Sequence, residues 1–123
     1  MNISVLIEDL HKDLQSYSSM IEIKDGHIIL MFTTVYDLNN YKNYGRYRDS
    51  DNVSFIVYET VVYDLIRDLI DLDVSFKIDY RSLGDRVLRP TYRIYFNSQE
   101  DLNYYKLCGQ YDADGQFVQF LVG

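Results

Sequence analysis

The chain has 123 residues, of which 47% are hydrophobic and 25% are charged, and this is the length and composition of one folded domain. Such a composition excludes a disordered segment, a collagen-like repeat and a coiled coil. The net charge is -7 at pH 7, and a negatively charged surface repels the phosphates of nucleic acids. The charge therefore favours a protein over a nucleic acid as the binding partner.

The first part of the chain predicts a helix followed by a hairpin. Apolar residues within 2–17 recur at spacings of three and four, which places Leu6, Leu10 and Leu14 on one helical stripe. Asp25 and Gly26 separate two β-rich runs, 20–24 and 27–36, and this dipeptide suits a two-residue hairpin turn. The polar stretch 37–52, which is rich in Asn, then predicts a long irregular loop.

The middle of the chain predicts a helix followed by two paired strands. Residues 53–57 fit either a strand or the first turns of a helix, whereas the apolar spacing further along 53–72 predicts a helix. Apolar and polar residues alternate within 76–81 and 92–96, which predicts two antiparallel strands. Between them, Gly84 predicts a turn and Pro90 suits a strand start or a sheet edge.

The last part of the chain predicts a short helix and a final strand. Ser98 stands three residues before Asp101, which is typical of a helix start, and Gly109 suits the end of that helix. Asp114 and Gly115 predict a turn before the last strand. No internal repeat or linker is identified, so we expect a single domain over residues 1–123.

The order of these elements predicts an α+β fold. We expect an antiparallel sheet of about four to six strands with two or three helices packed mainly on one face. This order resembles that of the small acidic secretion chaperones, although the resemblance is topological and includes no shared motif residues. A secretion-type chaperone is therefore one alternative function.

Tyrosine is the most unusual feature of the composition, with 13 tyrosines in the chain. Tyrosine and arginine are enriched at the energetic centres of protein interfaces, and here they alternate within residues 41–48. A second basic stretch surrounds the later strand pair. The predicted partner-binding residues of the two stretches are Tyr41, Lys42, Tyr44, Arg46, Tyr47, Arg48, Arg81, Arg86, Arg89 and Arg93.

These residues predict a non-enzymatic protein that binds another protein, from a host or a second copy of itself as a homodimer. A bias against alanine and tryptophan resembles that of proteins from AT-rich genomes, so a phage-type accessory factor fits. One alternative is single-stranded nucleic-acid binding, because tyrosine and arginine stack on bases. Another is an acidic nucleic-acid mimic, because Asp64, Asp68 and Asp71 share one face of the predicted helix.

No cofactor or metal site is predicted. Asp112, Asp114 and Gly115 resemble the opening of a calcium loop, but Gln116 and Gly123 stand where that loop needs oxygen ligands. The two histidines and the single cysteine lack any paired spacing, so no catalytic residue is predicted either.

The protein is expected to be soluble and cytoplasmic, with no membrane partner. Its longest apolar run, residues 28–32, has five residues, whereas about 20 are needed to span a bilayer. The amino terminus lacks the basic and apolar pattern of a secretion signal. With one cysteine the chain can form no internal disulfide, which fits a reducing compartment.

Overall fold

The computed structural model describes residues 3–81, 91–111 and 118–123, with the side chains of residues 81 and 91 left aside. Within these residues it has four helices and six strands, so the predicted α+β class is confirmed. In chain order they are α1 (Ile3–Asp13), β1 (Ser19–Lys24), β2 (His27–Phe32), α2 (Val35–Tyr44), β3 (Val53–Val57), α3 (Thr60–Asp71), β4 (Phe76–Arg81), β5 (Thr91–Phe96), α4 (Gln99–Cys108) and β6 (Val118–Val122). The chain divides into two compact units, Met1–Tyr58 and Glu59–Gly123.

Unit 1 contains a three-stranded mixed sheet in the order β1-β2-β3. The hairpin of β1 and β2 is confirmed, with positive φ angles of 51° at Asp25 and 77° at Gly26, the backbone that a tight hairpin turn requires. β2 and β3 pair in parallel because α2 carries the chain back to the same end of the sheet. Every residue of β2 from Ile28 to Phe32 is buried, so this central strand lies in the core of the unit.

Unit 2 contains a second three-stranded sheet with the same pattern, β4-β5-β6. β4 and β5 are antiparallel, with Phe76 opposite Phe96, which confirms the predicted strand pair. β5 and β6 are parallel and are connected through α4. The six strands thus form two three-stranded sheets. Each sheet contains one antiparallel pair, of the kind that the sequence predicts, and one parallel pair.

The expected irregular loop over residues 37–52 is wrong, because its first half is the helix α2. Thr34 starts this helix by accepting a 3.1 Å hydrogen bond from the backbone N–H of Asp37. Leu38 and Tyr41, three residues apart, form the buried face of the helix. The Asn residues between them, together with Lys42 and Asn43, lie on the other sides of the helix, and their polarity is what suggested a loop.

The structure also defines the limits of several other helices and strands. Residues 53–57, ambiguous in the sequence, are the strand β3, and the helix predicted after them is α3. The predicted N-cap of the last helix is confirmed, because Ser98 accepts a 3.1 Å hydrogen bond from the Asp101 N–H. The features predicted at Gly84, Pro90 and residues 112–116 lie outside the described residues.

The two units are repeats of one αββαβ arrangement, so the expectation that the chain contains no internal repeat is wrong. Residues 37–47 and 101–111, 64 positions apart, share the pattern Asp-Leu-Asn-x-Tyr-Lys-x-x-Gly-x-Tyr, with seven of eleven residues identical. The helices before them share a second pattern, Asp-Leu-x-Lys/Arg-Asp-Leu, at residues 9–14 and 64–69. Shared topology and shared sequence at corresponding places indicate a duplicated unit.

We expect the two capping residues to stabilise their helices equally. Replacing Thr34 or Ser98 by Ala removes the oxygen that accepts the N–H of the third residue of α2 or α4, and each change should cost about 1 kcal/mol of unfolding free energy. Urea denaturation measures this loss. As a control, Thr33→Ala alters the preceding residue, which is exposed and does not cap the helix, and should have a smaller effect. Equal effects of Thr33→Ala and Thr34→Ala would contradict the capping role.

Candidate functional site

Tyr41, the first of the predicted partner-binding residues, lies in the core of unit 1 and is 0% exposed. Its ring packs against those of Phe32 and Phe55 with centroids 5.6 Å and 5.5 Å away. The expectation that Tyr41 offers an exposed ring is therefore wrong. The reason is its position on α2, three residues after the buried Leu38 and on the same face of the helix.

Tyr47 is half-buried beside α1. Its hydroxyl donates a 2.8 Å hydrogen bond to Asp9, and this hydrogen bond raises the pKa of Tyr47 above its ordinary value. The Arg46 guanidinium lies 5.9 Å from the centroid of the Tyr47 ring and 3.8 Å from the Asp9 carboxylate. The three side chains form a small polar cluster at the edge of α1, which leaves Tyr47 less available to a partner than the sequence suggests.

The remaining residues of this stretch are exposed. Tyr44 is 78% exposed at the end of α2, and Lys42 is also exposed. The side chain of Arg46 is 66% exposed and that of Arg48 is 47% exposed. The Arg48 guanidinium lies 3.8 Å from Asp49 and donates to the carbonyl oxygen of Gly45, so this cation is partly offset by an acid of its own unit.

Tyr36 belongs to the same surface, although the sequence analysis did not select it. It lies on α2 eight residues before Tyr44 and is also 78% exposed. Positions 36, 40 and 44 form one row along a helix, with Asn40 in the middle accepting a hydrogen bond from the Tyr17 hydroxyl. The signal for this row was the i, i+4, i+8 spacing, which becomes informative only once residues 35–44 are known to be helical. We call Tyr36, Tyr44, Arg46 and Arg48 the α2 surface. Lys42 does not belong to it, because two residues turn a helix by about 200° and Lys42 therefore lies on a different side of α2 from Tyr44.

The segment that follows α2 is held in place by hydrogen bonds to side chains of α1 and of the buried face of α2. The backbone N–H of Arg46 donates to the Asp13 carboxylate over 3.1 Å, and the N–H of Tyr47 donates to the Tyr41 hydroxyl over 3.3 Å. The Tyr41 hydroxyl is in turn hydrogen-bonded to Asp13, and burial together with this bond raises the pKa of Tyr41 well above its ordinary value. We call Asp13 and Tyr41 the unit 1 clasp.

Unit 2 contains the same arrangement at the corresponding residues. The Tyr105 hydroxyl donates to Asp68 over 2.8 Å, and the N–H of Gln110 donates to the same carboxylate oxygen over 2.9 Å. The N–H of Tyr111 donates to the Tyr105 hydroxyl, and burial raises the pKa of Tyr105 well above its ordinary value. Asp68 and Tyr105 are therefore the unit 2 clasp, in which Asp68 corresponds to Asp13 and Tyr105 corresponds to Tyr41.

The predicted basic residues after position 80 belong to unit 2, whereas residues 41–48 belong to unit 1. Arg81 is the last residue of β4, and Arg86 and Arg89 lie outside the described residues. Arg93 stands on the central strand β5 opposite Asp79. Its Nε atom is buried and has no hydrogen-bond partner among the described residues. Arg93 is consequently placed within the sheet, unlike the exposed cations of the α2 surface.

The acidic row of α3 is also partly engaged within its own unit. Asp68 belongs to the unit 2 clasp, and Asp71 lies 3.8 Å from the Arg67 guanidinium. Two of the three carboxylates are thus engaged within unit 2, so the row does not present three free carboxylates to a partner. This placement offers little support for a nucleic-acid mimic.

The described part of the chain contains no group of three or more His, Cys, Asp or Glu side chains arranged to hold a metal ion. Among its helices, none combines the length and the apolar character that crossing a bilayer requires. Cys108 is an exposed free thiol at the end of α4.

Comparison of the chain with models of protein families, with curated protein sequences and with solved structures gave no match.

Proposed function

We propose that this is a non-enzymatic binding protein that contacts another protein through the α2 surface. The observation that carries the proposal is the pair of tyrosines on α2, each 78% exposed and eight residues apart on one side of the helix. A tyrosine ring provides a large apolar contact area with few rotatable bonds, and its hydroxyl keeps a polar end. Two such rings on one rigid helix are suited to filling two pockets of a partner.

The cations beside the tyrosines support a protein partner with acidic groups around those pockets. Arg46 and Arg48 follow the end of α2 that carries Tyr44. Arginine is enriched at interface centres, and a polar rim of charges contributes to partner choice. Each ion pair made by these arginines within unit 1 spans 3.8 Å on the surface, where such pairs contribute about 0–1 kcal/mol, so a partner carboxylate can replace them at little cost.

The positions of the tyrosines favour protein over single-stranded nucleic acid. Stacking on successive bases needs several free ring faces close together. Tyr41 is buried and Tyr47 is bonded to Asp9, so two of the three rings expected for stacking are engaged. Asp9 and Asp49 also lie beside the arginines that would meet the phosphates.

The test is a comparison of two surface variants as baits. The double variant Tyr36→Ala/Tyr44→Ala removes both exposed rings, and its matched control, Tyr104→Ala/Leu107→Ala, removes exposed side chains from the equivalent helix α4. Interface tyrosines often contribute about 2 kcal/mol each, so partner affinity should fall at least about thirtyfold for the first variant and stay unchanged for the control. The partner recovered from lysate by the wild-type chain is identified and its affinity is measured for each bait.

Equal affinity of the folded α2 variant and the wild type would refute the proposed surface. Light scattering on the purified chain comes first, because loss of a dimer in the Tyr36→Ala/Tyr44→Ala variant would identify a second copy as the partner. A mobility shift with oligothymidine at low salt, falling steeply as salt rises, would instead favour the nucleic-acid alternative.

A further inference from the structure

We propose that the unit 1 clasp, Asp13 and Tyr41, positions the two arginines of the α2 surface by fixing residues 45–48, and that the same device belongs to the repeat and is present again in unit 2. The inference rests on the proposed function for its binding consequence only. Its structural consequence can be measured on the chain alone.

The first support is the geometry of the clasp. Two consecutive backbone N–H groups, those of Arg46 and Tyr47, donate to side chains that start from α1 and from the core face of α2. The Tyr41 hydroxyl accepts one N–H and bonds to Asp13, and Asp13 accepts the other N–H. A segment held at two adjacent peptide groups has little freedom left, so the side chains of Arg46 and Arg48 start from fixed positions.

The second support comes from comparing the two units. Residues that are identical in both units belong to the repeat, whereas residues that differ belong to one unit alone. Both clasps consist of Asp and Tyr and bind the N–H groups of two residues after the helix. The exposed residues differ at the corresponding positions: Tyr36, Tyr44 and Arg46 are replaced by Glu100, Cys108 and Gln110. The clasp is therefore independent of the side chains it presents.

The third support is that shared residues of the repeat surround the clasp. Gly45 and Gly109 end the two helices, and each donates its N–H to the carbonyl oxygen of the clasp tyrosine. A side chain at either glycine would collide with the tyrosine ring. The glycine thus lets the chain turn over the ring, which brings the next two N–H groups to the hydroxyl and the carboxylate.

Positioning matters for binding because a free segment must be ordered when the partner arrives. Ordering the backbone of one residue weakens an affinity by about tenfold, so a segment that is already fixed binds correspondingly more tightly. Tyr41 and Asp13 do not touch the partner. They act through the residues that they hold.

The experiment compares Tyr41→Phe with Tyr105→Phe in the full chain. Each change keeps the buried ring and removes the hydroxyl of one clasp, so the two variants should lose similar unfolding free energy. Amide hydrogen exchange of Arg46 and Tyr47 should accelerate about tenfold to a hundredfold in Tyr41→Phe and stay unchanged in Tyr105→Phe. The amides of Gln110 and Tyr111 should show the opposite pattern.

Trypsin provides a second probe, since it cleaves after Arg46 and Arg48 only where the backbone can adapt to the protease. Tyr41→Phe should speed cleavage at these two sites by at least about tenfold, and Tyr105→Phe should not. Asp13→Asn keeps an acceptor oxygen and should restore much of the protection that Asp13→Ala loses. Unchanged exchange and cleavage in Tyr41→Phe would overturn the positioning role.

The binding measurement separates the two proposals. With the partner identified by the wild-type bait, Tyr41→Phe should bind about tenfold more weakly, while the equally destabilised Tyr105→Phe should bind like the wild type. Equal binding of Tyr41→Phe and Tyr105→Phe would overturn positioning while leaving the α2 surface intact. Retained binding by Tyr36→Ala/Tyr44→Ala would refute the surface, whatever the exchange data show for the clasp.

Discussion

Replacing Gly45 or Gly109 by Ala should destabilise its unit by about 1–3 kcal/mol, the cost of forcing extra volume into a packed core. A Cβ atom at Gly109 would lie 2.5 Å from ring carbons of Tyr105, and a Cβ at Gly45 would collide with the ring of Tyr41 in the same way. Both rings are fully buried and are packed against other aromatic rings, so neither can move aside without disturbing the core. Urea denaturation of each variant measures the loss.

The backbone itself does not require glycine at these positions, which makes the prediction specific to packing. The φ angles of Gly45 and Gly109 are −68° and −75°, which alanine adopts freely. Gly26 provides the matched control, because it has a φ of 77° and no atom within 4 Å of an added Cβ. Gly26→Ala should therefore cost only the backbone strain of about 1–2 kcal/mol.

A combined variant distinguishes the two causes. Shortening the ring by Tyr41→Leu removes the atoms with which the new Cβ collides, so Gly45→Ala should cost less in that background than in the wild type. The same background should not change the cost of Gly26→Ala. Strictly additive effects of Gly45→Ala and Tyr41→Leu would show that the ring is not what excludes a side chain at position 45.

Local signals in the sequence were sufficient for much of the fold. The Asp25–Gly26 turn, the Ser98 cap and the alternation in β4 and β5 each depend on a few neighbouring residues, and the structure confirms all three. The helix α2 was missed because it buries only Leu38 and Tyr41, so its apolar stripe is too narrow to stand out among Asn and Lys.

The repeat was missed for a different reason. Its two halves differ in the length of the connection between the hairpin strands, which is residues 25–26 in unit 1 and residues 82–90 in unit 2. The shared patterns fall at offsets of 55 and 64 positions, since 64 − 9 = 55 for the first and 101 − 37 = 64 for the second. The hairpin connection accounts for seven of the nine positions by which these offsets differ, since 9 − 2 = 7, and the step from the first pattern to the first strand of each unit accounts for the other two, since 19 − 14 = 5 and 76 − 69 = 7. A search at one fixed period detects either pattern alone and not the whole unit.

The sequence predicted which stretch to examine, residues 41–48, but not which of its tyrosines are exposed. Composition cannot distinguish a tyrosine that is buried under a surface from one that forms the surface. Tyr41 and Tyr44 are only three residues apart, yet one is 0% exposed and the other 78% exposed. The difference follows from helical geometry, because each three-residue step leaves a side chain about 60° short of a full turn. Tyr41 is therefore about 60° from the buried Leu38, whereas Tyr44 is about 120° from it and lies off the buried stripe.

Unfolding free energy should fall steeply above about pH 10, because three buried tyrosines resist ionisation. Burial raises the pKa of Tyr41, Tyr92 and Tyr105 well above the ordinary value of 10.0. The native chain then keeps three protons that the unfolded chain releases, so stability is fully present below pH 10 and is lost as the pH rises towards the native pKa values. Each tyrosine should contribute a loss of about 1.4 kcal/mol per pH unit above this point.

Phenylalanine variants isolate this effect from other alkaline changes, such as the rising negative charge of an already acidic chain. Tyr92→Phe keeps the buried ring and removes the ionising group, so the slope of unfolding free energy against pH should become shallower by about 1.4 kcal/mol per pH unit. Ile56→Val, a change in the core that removes no ionising group, should leave the slope unchanged. Urea denaturation at a series of pH values gives the slopes, and phenolate absorbance counts the tyrosines that ionise before unfolding. Identical slopes for Tyr92→Phe and the wild type would show that this buried hydroxyl ionises as readily in the native chain as in the unfolded one.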